Sequence, residues 1–81
     1  MKVTTKMIDF EMEMLKANTK LPLEYDANSV YGGWQLNVEI GPGIGDISYY
    51  RMPKQHFYTM LRAMNRTFDR MRMQEQEVET Q

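Results

Sequence analysis

A regular pattern of apolar residues in the last third of the chain constrains the fold more than any other feature. These residues recur three or four positions apart and are Phe57, Met60, Leu61, Met64, Phe68 and Met71. The spacing predicts a long amphipathic helix with one apolar stripe about 100° wide. Pro53 fits the first turn of this helix, where its missing N–H costs nothing. Such a helix packs its stripe against another layer, which the rest of the chain must supply.

The segment from Val30 to Ile40 is the best candidate for a strand in that layer. Its apolar side chains alternate with polar ones and fall on one face, at Trp34, Leu36, Val38 and Ile40. Gly32 and Gly33 near its start predict a bulge, or a place where another backbone comes close.

Shorter segments on both sides complete a predicted antiparallel sheet. Leu21–Tyr25 alternates, but Pro22 lacks a ladder donor and restricts this segment to an edge strand or its entry. Asp26–Ser29 is a predicted turn. Gly41–Asp46 is a predicted hairpin connection, after which Ile47–Arg51 returns as a strand.

The first part of the chain has two possible patterns. Residues 5–18 place charged side chains on one narrow face of a helix and most apolar ones on the other side, with Glu11 as an intruder. The run Ile8–Met14 also alternates strictly, as a strand would. Met, Glu, Leu, Lys and Ala favour the helix, and β-branched residues are nearly absent after Ile8.

The predicted order is therefore helix, two or three antiparallel strands, helix. This is an α+β fold (α-β-β-β-α) in which the long C-terminal amphipathic helix packs on one face of the sheet. The 81 residues suffice for one domain, which we assign to residues 1–73. Residues 74–81, QEQEVETQ, have almost nothing to bury and are predicted to form a frayed polar tail.

The chain carries few of the groups that catalysis or metal binding needs. It has no Cys, so thiol nucleophiles and zinc–thiolate sites are excluded. His56, the single His, lacks another His or Cys to complete a metal site, and we expect it on the surface. Gly41, Gly43 and Gly45 lead into a strand instead of a helix, which favours a hairpin over a phosphate-binding loop. We expect no enzyme activity, metal, cofactor or small-molecule substrate.

Charge and hydropathy narrow the class of protein further. Ten Lys and Arg against eleven Asp and Glu give a formal net charge of -1. This argues against a protein that coats nucleic acid, but a local basic patch stays possible. No apolar run approaches the ~18 residues of a membrane span, and the amino terminus lacks the apolar core of a signal peptide. We expect a cytoplasmic protein with no membrane contact.

Three arginines form a row along the predicted last helix. Arg62, Arg66 and Arg70 lie one turn apart on one flank of the apolar stripe. Guanidinium groups in line can bind phosphates or carboxylates through bidentate hydrogen bonds. Three interpretations stay open: a solvated face balanced by carboxylates of the tail, a surface for a protein partner, or a surface for nucleic acid.

Aromatic residues concentrate around the predicted sheet. The adjacent Tyr49 and Tyr50 must point to opposite faces of a strand, so one of them lies away from the face that the helix covers. Tyr and Trp on an open face suit protein binding and base stacking alike. The candidate partner-binding residues are Trp34, Tyr49, Tyr50, Arg51, Lys54, Arg62, Arg66 and Arg70.

The order of elements, with LPLEY entering the first strand, resembles a double-stranded-RNA-binding domain over about residues 5–70. That family binds the duplex through its first helix, a loop with Pro and His between its first two strands, and a lysine cluster that opens its last helix. Here the loop is residues 28–33, which contain neither Pro nor His, and the last helix opens with one lysine, Lys54. The resemblance implies a shared topology and carries over Lys54 alone as a contact residue.

A second resemblance covers roughly Val30 to Phe68. The GGW strand, the Gly-rich turn and the run PKQHFYTMLRAMNR are similar to small uncharacterised proteins from phages and prophages of Gram-positive bacteria. This resemblance implies a context, the cytoplasm of a bacterial host, in which small accessory proteins bind and modulate other proteins.

Two functional hypotheses follow. A chain this short buries only about 60% of its unfolded surface, and its nine Met suit adaptable interfaces. We therefore expect a non-enzymatic interaction protein, either a homodimer or a binder of a larger protein. The alternative is a nucleic-acid-binding module that uses the arginine row.

Overall fold

The computed structural model describes residues 2–40, 43–47 and 50–79. Three antiparallel strands form one sheet in the order β1-β2-β3, and two helices cover one of its faces. The predicted α+β fold is confirmed. In chain order the elements are α1 (Thr5–Thr19), β1 (Leu23–Asn28), one turn of 3-10 helix (Ser29–Tyr31), β2 (Gly33–Ile40), β3 (Gly43–Asp46) and α2 (Lys54–Glu79).

The first segment is a helix and not the alternating strand. Thr4 caps it, because its Oγ1 accepts a hydrogen bond from the backbone N–H of Met7 at 3.2 Å. The helix ends at Lys20, which adopts a left-handed conformation and donates its N–H to the carbonyl of Lys16. Ile8, Met12 and Leu15 are buried at helical spacing, and this burial decides between the two patterns.

The core lies between α1, α2 and one face of the sheet. Leu23 of β1 pairs with Val38, and Tyr25 pairs with Leu36, so these side chains share the covered face. The completely buried side chains are Ile8, Leu15, Leu36, Phe57 and Leu61.

The predicted turn at Asp26–Ser29 is wrong over most of its length. β1 continues to Asn28, which pairs with Gly33. The ladder with β2 overrides the low strand propensity of Asp and Asn. The chain reverses one step later, in the 3-10 turn, where the Asn28 side chain accepts a hydrogen bond from the Val30 N–H at 3.0 Å.

The predicted hairpin connection at Gly41–Asp46 and the return strand at Ile47–Arg51 also need correction. The returning strand is β3, which begins at Gly43 and pairs with Ile40. Ile47, Tyr50 and Arg51 are not in a strand, and residues 48 and 49 lie outside the described residues. Gly43 and Gly45 carry no alternating side chains, so only the ladder with β2 reveals this strand.

After β3 the chain contacts β2 again, first where the Ile47 N–H donates to the Leu36 carbonyl at 2.9 Å. Met52 forms an isolated bridge with Trp34, with backbone hydrogen bonds of 2.8 and 2.9 Å. Gly33 lies beside this bridge with φ +117°, and a Cβ there would overlap the Met52 carbonyl. The predicted close approach of another backbone at the glycine pair is confirmed.

The two helices run parallel to each other. At their amino-terminal ends the Lys54 Nζ donates to Thr5 Oγ1 at 3.3 Å, and further along Arg72 donates to Asn18 Oδ1 at 2.7 Å. α2 begins after Pro53, whose carbonyl accepts from the Phe57 N–H. The helix runs to Glu79 and so continues through most of the segment for which the sequence predicts fraying. The domain boundary at residue 73 stays a prediction.

The predicted stripe of α2 is covered along its first four turns. Phe57 and Leu61 are completely buried, and Met60, Met64 and Phe68 pack against the core while remaining partly exposed. Met71, the last member, is 53% exposed, so the cover ends before it.

Candidate functional site

Two of the sequence-predicted site residues are used inside the fold. Trp34 lies on the covered face of the sheet, where its ring is 5.1 Å from that of Tyr25 and 5.6 Å from that of Phe57. The Lys54 Nζ lies 5.6 Å from the Trp34 ring centroid while it bonds Thr5. Both residues therefore join the amino-terminal ends of the helices to the sheet.

Arg51 is also held by the fold. Its guanidinium pairs with the Asp26 carboxylate at 2.5 Å and donates to the Gly33 carbonyl at 3.0 Å. The same group lies 5.8 Å from the ring centroid of Tyr31. Arg51 thus closes the end of the β1–β2 hairpin, and a partner would have to compete with three internal contacts.

The paired tyrosines are only partly described. Tyr49 lies outside the described residues. Tyr50 is 74% exposed next to Arg51. Val30 and Tyr31, in the turn that Arg51 contacts, are also exposed, which places a small group of apolar side chains at this end of the molecule.

The arginine row lies on the solvent side of α2. Arg66 follows Phe57 by nine residues, about two and a half turns, so it lies opposite the buried stripe. Arg66 and Arg70 are exposed, and the Arg62 guanidinium lies 5.7 Å from the Tyr58 ring centroid. Within residues 2–40, 43–47 and 50–79, none of the three forms an ion pair, whereas Arg51 pairs with Asp26 and Arg72 with Asp69.

Two depressions meet at the Tyr58–Arg62 stack. A groove of about 300 Å³ runs between the helices and is lined by Thr4, Lys6, Met7, Phe10 and Tyr58. A smaller depression of about 190 Å³ on α2 is lined by Thr59, Arg62, Ala63 and Arg66. Among the described residues, no carboxylate belongs to either lining. We call the combined area, defined by Lys6, Met7, Phe10, Tyr58, Arg62 and Arg66, the outer helix surface.

Sequence reasoning missed the α1 half of this surface. Phe10 is 65% exposed although its residue type favours burial. The sequence signal is its helical position: Phe10 lies two residues from both Ile8 and Met12, about 200° around the helix from each. A single exposed apolar residue is ordinary, but Phe10 shares one groove with Met7 and Tyr58, which makes it part of a contiguous apolar patch.

The nearest carboxylates of α1 are occupied elsewhere. Asp9 accepts a hydrogen bond from the Tyr25 hydroxyl at 2.7 Å, and Glu13 pairs with Lys16 at 3.4 Å. The bond to Asp9, followed by burial and by the charge of the carboxylate, raises the pKa of Tyr25 above its ordinary value. Among the described residues, neither carboxylate forms an ion pair with Lys6, Arg62 or Arg66.

A polar network between the helices was also missed. The Asn65 amide donates to the Glu11 backbone carbonyl at 3.0 Å and accepts from the Asn18 amide at 2.9 Å. Asn65 is 2% exposed, and Arg72 extends the network from Asn18 to Asp69. The sequence signal for this network is Glu11, a polar residue on the otherwise apolar side of α1.

The described residues include few other groups that could form a catalytic or metal site. His56 is exposed on the first turns of α2. In the described part of the chain, no three His, Asp or Glu side chains come together as a metal site would require. Neither described helix is long and apolar enough to cross a membrane.

Comparison of the chain with protein-family models, with curated proteins and with solved structures finds no match. The resemblances to double-stranded-RNA-binding domains and to small phage proteins therefore stay predictions.

Proposed function

We propose that this chain is a small, non-enzymatic accessory protein that acts by binding another protein through the outer helix surface. One observation carries the proposal: an exposed aromatic side chain, Phe10, lies in an apolar groove beside arginines that have no ion-pair partner among the described residues. The accessory role follows from the resemblance to small phage and prophage proteins that the sequence predicts.

The composition of the surface supports protein binding. Aromatic residues, Met and Arg are enriched at protein interfaces, and Tyr and Arg dominate the residues that contribute most binding energy. Met7, Phe10, Tyr58 and Arg62 bring these types together on rigid helices. The residues proposed from sequence contribute Arg62 and Arg66, whereas Trp34, Arg51 and Lys54 support the fold.

The test compares capture of proteins from cells that express the chain, using three purified baits. The first is wild type, the second carries Phe10→Ser with Arg66→Glu, and the third carries Val30→Ser with Arg70→Glu. The third bait is the matched control, because Val30 is 84% exposed and Arg70 lines neither depression. We expect a protein that the first and third baits retain and the second loses. Equal retention by all three baits contradicts the proposal.

Nucleic-acid binding is the second candidate, favoured by the arginine row itself. Arg62, Arg66 and Arg70 repeat every four residues, about 6 Å along the helix. In the described part of the chain none of them pairs with a carboxylate, so all three guanidinium groups can reach phosphates. This candidate predicts that affinity for duplex RNA or DNA falls steeply with salt.

The variant Arg62→Ala/Arg66→Ala/Arg70→Ala tests this candidate. Binding should weaken for every sequence, and the salt slope should flatten by up to about three counterion contacts. Light scattering with absorbance at two wavelengths on the purified protein checks for bound nucleic acid first. A protein free of nucleic acid, with no duplex binding at low salt, contradicts this candidate.

A further inference from the structure

The outer helix surface is divided into an apolar half and a cationic half, and this division specifies the chemistry of its partner. Met7 and Phe10 of α1 and Tyr58 of α2 form the apolar half. Arg62 and Arg66 form the cationic half, one turn apart. The Arg62 guanidinium of the cationic half lies 5.7 Å from the Tyr58 ring centroid of the apolar half, so the two halves are neighbours. A matching partner needs an apolar side and an acidic side next to each other.

The backbone of the surface determines the conformation of that partner. Both walls of the groove are helices, whose backbone N–H and carbonyl groups bond within the helix. An extended peptide lying in the groove would find no backbone partners here, and its own polar groups would lose water. A helix satisfies its own backbone, so a helix is the segment that such a groove accepts.

The size of the groove agrees with this conformation. Thr4, Met7 and Phe10 follow one another at three-residue spacing along α1, over about 9 Å or nearly two turns. Apolar side chains one turn apart on a docked helix match this length. Carboxylates one turn apart on its flank match Arg62 and Arg66, since both helices share the same rise.

Charge also favours a helix of another protein over a second copy of this chain as the partner. A twofold dimer on this surface would bring the arginine row of one copy close to that of the other, and Lys6 would add further positive charge. Like charges facing each other across an interface disfavour association. An acidic partner has no such penalty.

We infer that the outer helix surface binds an acidic amphipathic helix of a partner protein. Its apolar side lies over Met7, Phe10 and Tyr58, and two of its carboxylates lie on Arg62 and Arg66. The inference rests on the proposed function, because it names the partner class for the same surface.

The test is a selection from displayed helical peptides of about 18 residues, about 27 Å long as a helix. Every peptide carries one apolar side, and the flanking positions are randomised among Glu, Gln and Lys. Peptides that bind the folded chain should be enriched in Glu one turn apart on a single flank. Enrichment of Lys or Gln, or no enrichment, overturns the inference.

Variants of the chain test whether the selected peptide binds at the outer helix surface. Phe10→Ser and Arg66→Glu should each weaken binding at least about tenfold, as loss of a central interface contact does. Val30→Ser is the matched control for Phe10→Ser outside both depressions and should change affinity less than about twofold. Arg70→Glu lies one turn beyond Arg66, outside both depressions, and should weaken binding less than Arg66→Glu does. A peptide that binds Phe10→Ser and wild type equally does not use the groove, and the inference then fails.

A charge swap gives the sharpest measurement. Replacing one Glu of the peptide by Lys should restore binding to Arg66→Glu and weaken binding to wild type. A proline in the middle of the peptide should abolish binding if the peptide docks as a helix. If proline is tolerated but Phe10→Ser still abolishes binding, the partner is not helical. The proposed function then survives and this inference does not.

Discussion

Gly33 has φ +117° at the start of β2, and its Cα faces the backbone of Met52 across the bridge. The neighbouring Gly32 has φ +103°, but a Cβ there would lie 3.7 Å from its nearest neighbour, the Cβ of Arg51. The pair therefore separates two effects, backbone strain and direct overlap. The sequence indicated the close approach, because a glycine inside a strand often marks a bulge or a place where a second backbone packs closely.

We predict that Gly33→Ala lowers the free energy of unfolding more than Gly32→Ala does. Both substitutions place a side chain at positive φ, which costs about 1–3 kcal/mol. Only Gly33→Ala adds an overlap with a backbone carbonyl, which a side-chain rotation cannot relieve. Urea unfolding of the two variants measures the difference, and equal losses would show that the Met52 backbone moves away.

Because of the hydrogen bond from Tyr25 to Asp9, the free energy of unfolding depends on pH in the alkaline range. The pKa of Tyr25 is raised in the folded chain, so above about pH 10 the unfolded chain releases this proton first. The unfolded state then binds fewer protons, and stability falls as pH rises. The stabilisation from the Tyr25 hydroxyl is complete below the pKa that Tyr25 has in the unfolded chain. It is lost as pH rises through the higher pKa that Tyr25 has in the folded chain.

Tyr25→Phe removes this proton. We expect the melting temperature of the variant to fall less than that of wild type between about pH 9 and pH 11. Asp9→Asn removes the first cause of the shift and should also flatten the profile. Parallel pH profiles for wild type and Tyr25→Phe would contradict this prediction.

For single residues, the sequence predicts the type of interaction a side chain can make but not its partner in the fold. Arg51 and the arginines of α2 look alike in sequence, but the acceptors of Arg51 come from Asp26 and Gly33, far back in the chain. Trp34 was expected at a partner surface, and the fold packs it against the core while leaving it partly exposed. Residue type suggested which side chains form interfaces, and only tertiary packing decides which of them are already used.

At the scale of elements, periodicity predicted both helices and failed for the strand with the fewest side chains. α2 matched the 3.6-residue pattern, and the helix interpretation of α1 was confirmed because one face is buried. The sequence did not predict β3 at its observed position, because its glycines have no side chains that could show an alternating pattern. The ends of β1 were misjudged because pairing with β2, and not local propensity, determines them.

The interface between the helices depends on a buried amide. Asn65 is buried and forms hydrogen bonds with Glu11 and Asn18 of α1. A buried polar group that is satisfied only in one register opposes sliding of one helix along the other. The network thus favours the parallel arrangement observed over shifted ones.

We predict that Asn65→Ala lowers the free energy of unfolding by about 1–3 kcal/mol, because it leaves the buried groups of α1 without a partner. Asn18→Ala should cost less, since Asn18 is only half-buried. The double variant should depart from additivity by at least about 0.5 kcal/mol if the two amides act together. Chemical denaturation of the four proteins measures this coupling, and simple additivity would contradict it.

At the scale of the whole molecule, the parallel helices place both amino-terminal ends on the same side. Thr5 and Lys54 are in contact there, and neither helix has an acidic residue in its first turn. Two positive dipole ends therefore lie together, with no negative side chain from either first turn to compensate them.

We predict that Gln55→Glu stabilises the protein by about 0.3–1 kcal/mol at low ionic strength. Gln55 is exposed in the first turn of α2, so the new carboxylate faces the positive dipole end without disturbing the core. Gln74→Glu is the matched control near the opposite end, where no stabilisation is expected. About 1 M salt should remove the difference between the two variants, and a gain that persists in salt would point to another cause.

The contacts between α1 and α2 join residues 47 to 54 positions apart. The sheet forms instead between neighbours in the chain, such as Leu23 and Val38. Because closing a longer loop costs more entropy, we predict that the hairpins form early on the folding path and that the helix interface closes late. Contacts made late mainly govern the rate of unfolding. A partner helix bound across both α1 and α2, as proposed, would therefore slow the opening of this interface and lengthen the lifetime of the folded chain.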